Sequence, residues 1–380
     1  MGGMIPALSG NIADLGVVPA GQFKDRGVDA IVECAPAALS EAKAPLFVEN
    51  EHLIPAPALA ELKGHWRTRQ PPLRYALLNN AMMVRDCFII AGNHAFYPEL
   101  MPHHVVISMV KEGQLINTGD RQAGQFKFAK EETFEGVTMF LPSSSPSISH
   151  FFFEAMGHLG FFAPNAQKVL LFGPEVEAFK HLLELYGYDR PNIIFRTADR
   201  FDECWRFERL IVPLYHFGVH PHMLPVFADT ATRVERDETH DLLYVSRLES
   251  THYRLMLNEE AVARMMEKFG FKVLQLTHLG EDNKIALFRN AKVIAGPVGA
   301  GLYNVLFSKN KPTIIGLNAG RYTRSYLLNL VAVMGLDHAH FNGPEFLSYE
   351  PRHHQGTHND FVINVAQLER VIGTFLETKL

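Results

Sequence analysis

The sequence predicts an α/β protein made of two successive strand–helix units behind a β-rich opening. Three observations predict it. Short apolar runs separated by Asn, Gly and Pro fill Leu73 to Ile116, the pattern of a small strand meander. After Gly136 the rhythm changes to strands alternating with helices. That rhythm restarts at Asp241, beyond the charged stretch Asp229–His240. Alternation of this kind implies parallel sheets.

Residues 1–72 are rich in Pro, Ala and Gly and read as an irregular lead-in. Within 73–228, Tyr75–Leu78, Cys87–Ile90 and Val105–Val110 are expected strands. Val137–Leu141 is a strand, Pro142 to Ser149 a loop, and His150–Phe162 an apolar segment of helical length. Val169–Phe172, Pro174–Tyr186 and Ile193–Arg196 complete a βαβ series. In the second unit, 241–360, strands are expected at Leu242–Ser246, Lys272–Leu276, Lys292–Ala295, Thr313–Leu317 and His338–Phe341. Helices are expected at Asn258–Phe269, Glu281–Arg289, Leu302–Phe307 and Tyr322–Met334. Residues 361–380 hold a closing helix, Asn364–Glu377, opened by an Asn cap.

The 380 residues are 47% hydrophobic and 20% charged with a net charge of −5. This is ordinary globular composition, with no basic excess to draw nucleic acid or an anionic membrane. No apolar run reaches the length of a membrane span, and no basic patch precedes an apolar leader. Cys34, Cys87 and Cys204 are too scattered for a disulfide framework. Together these lead to the expectation of a cytoplasmic protein; a homo-oligomer is left open.

The chemistry concentrates between Asn283 and Leu336. This window has no Asp or Glu, yet holds Lys284, Arg289, Lys292, Lys309, Lys311, Arg321 and Arg324. Inside it a strand runs into Gly296-Pro-Val-Gly299-Ala300-Gly301 and then a helix carrying Asn304. Small residues let backbone approach a ligand, and helix-start N–H groups suit phosphate; the plainer reading is a tight turn beneath solvated cations. Upstream, Ser246 and Arg247 fall at the carboxyl end of the second unit's first strand, Leu242–Ser246, with Arg254 shortly after, where ligands bind open α/β sheets. Forked guanidiniums hold phosphate oxygens in pairs; pairing with Glu249 or Glu259 is the structural alternative. A dinucleotide site fits poorly. The glycine spacing is GxxGxG, and no carboxylate for a ribose hydroxyl follows before Asp337.

Leu243-Tyr-Val-Ser-Arg247, Arg254, Asn258-Glu-Glu260, Gly270-Phe271, Leu287-Phe288, Ala291 and Val293-Ile-Ala-Gly-Pro-Val-Gly-Ala-Gly-Leu-Tyr-Asn304 resemble, in order, the C-terminal half of glycosyltransferase family 61. Ser149-His150-Phe-Phe-Phe-Glu154 resembles the family's aromatic-acidic helix start. The resemblance implies a GT-B enzyme with two Rossmann-like domains that transfers sugar from a nucleotide sugar, usually UDP-linked, with inversion and without a metal. It implies a carbohydrate or other hydroxyl acceptor and a link to bacterial capsular or surface polysaccharide. Three positions depart from the family pattern. Val298 stands for the usual His, Asn283-Lys284 for an acid–Gln pair, and Gly316 for an acid. These departures motivate an alternative reading as a catalytically silent binding subunit; an NAD-dependent enzyme is the remaining one.

No Asp-x-Asp pair is present to hold a cation on a diphosphate. His216-x3-His220-x-His222 and His353-His354-x3-His358 have metal-like spacing but lack neighbouring Cys, and no metal site is expected. Inverting transfer needs a general base. His150 and Glu154, one helical turn apart, are the catalytic candidates, with His158 a turn further on; a purely packed role in an apolar helix is the alternative.

Overall fold

The computed structural model describes residues 2–5, 8–11, 28–64, 66–84, 88–91, 94–97, 116–117, 122–127, 130–143, 145–162, 165–200, 202–214, 218–249, 254–320, 325–346 and 359–379. The expected strand Val105–Val110, Cys87, His216, the 353–358 histidines, Arg321 and Arg324 lie outside them. The chain divides into two compact units, Met1–Ala38 with Gln70–Val226, and Leu39–Arg69 with Phe227–Leu380. Both are mixed α/β.

The first unit is organised on one nine-stranded sheet. Its parallel half runs Ile193–Arg196, Lys168–Phe172, Lys130–Leu141, Glu203–Leu214. The sheet continues antiparallel through Leu73–Val84, Phe88–Ala91 and His94–Tyr97, with Val28–Ala35 also beside Leu73–Val84. The expected meander and the expected βαβ series are therefore one sheet. They are joined by Glu203–Leu214, a strand that sequence reading left unassigned because Arg206, Glu208 and Arg209 interrupt its apolar pattern. Those three side chains are exposed while Cys204, Trp205, Phe207 and Leu210 are buried. Arg206 pairs across the strands with Glu131. Trp205 and Phe207 pack with Phe134, Phe140, Leu170 and Met83 in the unit's core.

The segment expected as a helix at 150–162 is helical from Ile148 to Phe162, with a π-type stretch at Phe151–Ala155 and a 3-10 turn at Met156–His158. Phe151 to Leu159 are all buried, which makes this a core helix in which Glu154 and His158 are the polar exceptions. Phe151 stacks on Phe179 of the Glu177–Tyr186 helix, their rings 4.3 Å apart.

The second unit carries a six-stranded sheet, every neighbouring pair parallel, in the order Lys272–Gln275, Leu242–Ser246, Val293–Pro297, Thr313–Ala319, His338–Gly343, Val48–Glu49. One face packs Leu317, Ala319, Ala339 and Phe341 against Val262 and Met266 of the Glu259–Lys268 helix and Leu368 and Ile372 of the closing helix, Val365–Lys379. Asn364 caps that helix as expected, its Oδ1 accepting from the Gln367 N–H at 3.1 Å.

The edge strand Val48–Glu49 and the helix Ala56–Lys63 correct the picture of residues 1–72 as an irregular lead-in. Residues 39–69 are a structured part of the second unit. Ile54 and Leu62 pack on Leu328, and the Trp66 indole donates to Asn329 Oδ1 at 2.9 Å. Their partners lie far away in the chain, 263 residues for Trp66 and Asn329, so local sequence carries no sign of the pairing.

Candidate functional site

Numbered along the chain, the five core strands of the second unit stand in the order 2-1-3-4-5, with Leu242–Ser246 first and Val293–Pro297 third. Connections from these two neighbours leave in opposite directions, which opens a crevice at their carboxyl ends. Both sequence-predicted groups meet at this switch point. Arg247 follows the first strand and the Gly296–Gly301 corner ends the third.

A Cβ on Gly299 would lie 3.4 Å from Arg247 Nη1. Arg254, itself in the left-handed region at φ 57°, donates from Nη1 to the Val298 carbonyl at 3.3 Å. Both guanidiniums therefore border the corner. Beneath them sits Glu259, whose Oε1 accepts from the Arg247 N–H at 2.6 Å and from the Tyr244 hydroxyl at 3.3 Å. Burial pushes this carboxyl above its usual range, against the pull of the Arg247 N–H, Ser246 and Tyr244 hydrogen bonds. Ser246, mostly buried, turns its hydroxyl to the Leu248 N–H at 3.1 Å. Glu249, the other acid considered as a partner for Arg247, lies 3.3 Å from His278 instead.

The glycines divide their work. A Cβ on Gly296, at φ 159°, would lie 2.4 Å from the Val245 carbonyl oxygen, and one on Gly301 would lie 2.8 Å from Val245 Cγ1. These two let adjacent strand ends close on one another; Gly299 alone faces an arginine. Ala300 opens a 3-10 helix, Ala300–Phe307, two residues earlier than sequence reading placed it. Asn304 is 2% exposed; its Nδ2 donates to the Gly301 carbonyl at 2.9 Å and its Oδ1 has no hydrogen-bond partner.

Two of the three departures from the family pattern, Val298 and Gly316, are neighbours in space. A Cβ on Gly316 would fall 2.9 Å from Val298 Cγ2 and 3.4 Å from His340 Nδ1. Gly316→Ala is therefore expected to cost about 1–3 kcal/mol in chemical denaturation, and Val298→Ala in the same chain to recover most of it. Equal losses in the single and double variants would show that the two positions are not coupled.

Several cations of the acid-free window serve the unit's own structure. Lys284 pairs with Glu281 at 2.6 Å and Lys292 with Asp241 at 2.8 Å. Arg289 donates to the carbonyls of Ala231, Val234 and Arg236. These three cations of the window are held by groups of the same unit. Among the described residues, the cations seen bordering the corner are Arg247 and Arg254, which precede the window.

In the first unit, His150 Nδ1 lies 2.7 Å from Glu154 Oε1. The carboxylate is 1% exposed, whereas the imidazole is 37% exposed. A buried carboxylate that takes up Nδ1–H fixes the ring and leaves Nε2 as the basic nitrogen, the orientation a general base needs. The π-type turn at Phe151–Ala155 supports this pair, and such turns concentrate at functional sites. His158 differs. It is buried with Nδ1 2.8 Å from the Tyr75 hydroxyl, so it is a packing residue.

Among the described residues no group of three His, Cys, Asp or Glu side chains is placed to hold a metal. His220 uses Nε2 toward the Pro36 carbonyl at 3.1 Å and Nδ1 toward the His222 N–H at 3.2 Å. A groove of about 470 Å³ lies along the edge of the second unit, between Phe47 and Phe375, and no candidate residue lines it. No described helix is long and apolar enough to cross a membrane.

A parallel sheet with an arginine-bordered glycine corner at its switch point places the second unit among open α/β sheets, the class in which ligands are commonly taken at the strand ends. The chain belongs to glycosyltransferase family 61, whose profile matches residues 93–315, more than half its length. Membership makes it a glycosyltransferase, with a sugar donor and an acceptor as substrates, and the match takes in His150, Glu154, both arginines and the glycine corner. A comparison with curated proteins finds no match.

Proposed function

We propose that the protein is an inverting, metal-independent glycosyltransferase of the GT-B kind that takes its sugar from a UDP-linked donor. The second unit binds the donor and the first serves the acceptor, a carbohydrate or other hydroxyl compound of surface polysaccharide synthesis in the cytoplasm. The observation that carries this reading is the meeting of Arg247 and Arg254 with the glycine corner. Two guanidiniums and the N–H groups at the start of Ala300–Phe307 suit the diphosphate both when bound and as it departs.

His150 Nε2 takes the proton of the acceptor hydroxyl as its oxygen attacks the anomeric carbon. The bond from that carbon to the diphosphate oxygen breaks on the opposite face, and its electron pair leaves with the diphosphate. Glu154 holds the imidazolium so formed.

Titration calorimetry with UDP, GDP and NAD tests the donor site. UDP is expected to bind, and Arg247→Ala to weaken it roughly 10–100-fold, as loss of a charge-assisted hydrogen-bond pair implies. Binding of NAD with none of UDP would overturn the reading. Val298 and Gly316 favour the silent-subunit alternative; any sugar transfer abolished by Arg247→Ala would remove it.

A further inference from the structure

The sheet face opposite the apolar core of the second unit holds a polar group that the reading above does not use. Along Thr313–Ala319, Leu317 and Ala319 belong to the core. Strand alternation therefore turns Gly316 and Asn318 to the other face, where the missing Cβ of Gly316 would meet Val298. Asn318 stands about 7 Å further along that face, on the same side as the Val298–Gly299 turn. The neighbouring strand ends at Pro297, opposite Leu317, so Asn318 reaches past it.

Asn318 is 3% exposed and its Nδ2 has no hydrogen-bond partner. Asn342, paired with it in register on the next strand, is satisfied, its Nδ2 donating to the Glu49 carbonyl at 2.7 Å. A buried amide N–H without a partner carries a penalty comparable to a lost hydrogen bond. Such an orphan, at the ligand end of a sheet, is the mark of a group kept for a ligand.

Position decides which part of the ligand. In doubly wound nucleotide sites the strand beside the phosphate-turn strand ends in the group that holds the ribose, ordinarily a carboxylate. Here no Asp or Glu occurs from Asn283 to Leu336. Resting on the nucleotide-donor reading, we propose that Asn318 is the ribose contact of this enzyme, its Nδ2–H donating to a ribose hydroxyl oxygen of the donor. An amide in place of a carboxylate adds no negative charge beside a site that must also accept a diphosphate.

The test compares UDP with its 2′,3′-dideoxy analogue on the full chain. The wild-type protein is expected to prefer UDP by about tenfold, the size of one well-made hydrogen bond. Asn318→Leu is expected to bind both ligands alike, at the level of the analogue, with an unliganded melting temperature no lower than wild type. Asn318→Ala, which removes the amide without adding bulk or charge, is expected to lose the preference too, which covers any misfolding of the Leu variant. Variants that keep the preference for UDP overturn the ribose assignment and leave the donor site standing. A wild-type protein that binds no UDP overturns both.

Discussion

His150→Gln is expected to lower kcat by roughly 10²–10⁴, the usual contribution of a positioned general base, with little change in KM for the donor. The choice of Gln is deliberate. Glu154 is almost wholly buried, its Oε1 2.7 Å from His150 Nδ1. Truncation to Ala would remove that partner from a buried carboxylate and confuse catalysis with stability. Gln can still donate toward Glu154 but cannot accept a proton at neutral pH. Steady-state kinetics beside a thermal melt separates the effects: a folded variant with wild-type kcat would remove His150 from the chemistry. Glu154→Gln should have a smaller effect, since it weakens the orientation of the base without deleting it.

Gly296→Ala is expected to remove about 3–5 kcal/mol from the second unit, combining backbone strain with overpacking. Its φ of 159° lies at the border of what other residues adopt, and the new methyl would sit 2.4 Å from the Val245 carbonyl oxygen. Unlike the Gly316 contact with a valine methyl, this neighbour is main chain in a paired strand, and no second substitution can remove it. Against a typical total of about 5–15 kcal/mol, the loss is severe. Urea denaturation followed by hydrogen exchange of Leu242–Ser246 and Val293–Pro297 should show these strands opening at lower denaturant. Exchange unchanged from wild type would show that the strand ends separate freely to admit a side chain.

Much of the second unit was legible locally. Leu242–Ser246 was placed residue for residue, and the strands at 272, 293, 313 and 338 within a few residues, because strands buried on both faces read as apolar runs closed by Gly or a charge. The glycine corner and Arg247 were legible too, as a turn and a charge at a strand end. The first unit was less so. Glu203–Leu214 presents Arg206, Glu208 and Arg209 to solvent and pairs with strands on both sides, so its strand character depends on neighbours that sequence periodicity does not show. Residues 39–69 were missed because Val48 pairs with His340.

The sequence alone determined the alternation of strands and helices, the glycine corner and the i, i+4 placement of His150 and Glu154, since each is set by neighbours within a few residues. Tertiary structure decided which cations border the glycine corner. Arg289 and Lys292 are consumed by the carbonyls of Ala231, Val234 and Arg236 and by Asp241, while Arg247 and Arg254 border the corner. It also left Asn318 without a partner while satisfying Asn342. Composition counts charges and amides equally, but their availability is set by what the fold places within hydrogen-bond reach, and that depends on contacts between residues far apart in the chain.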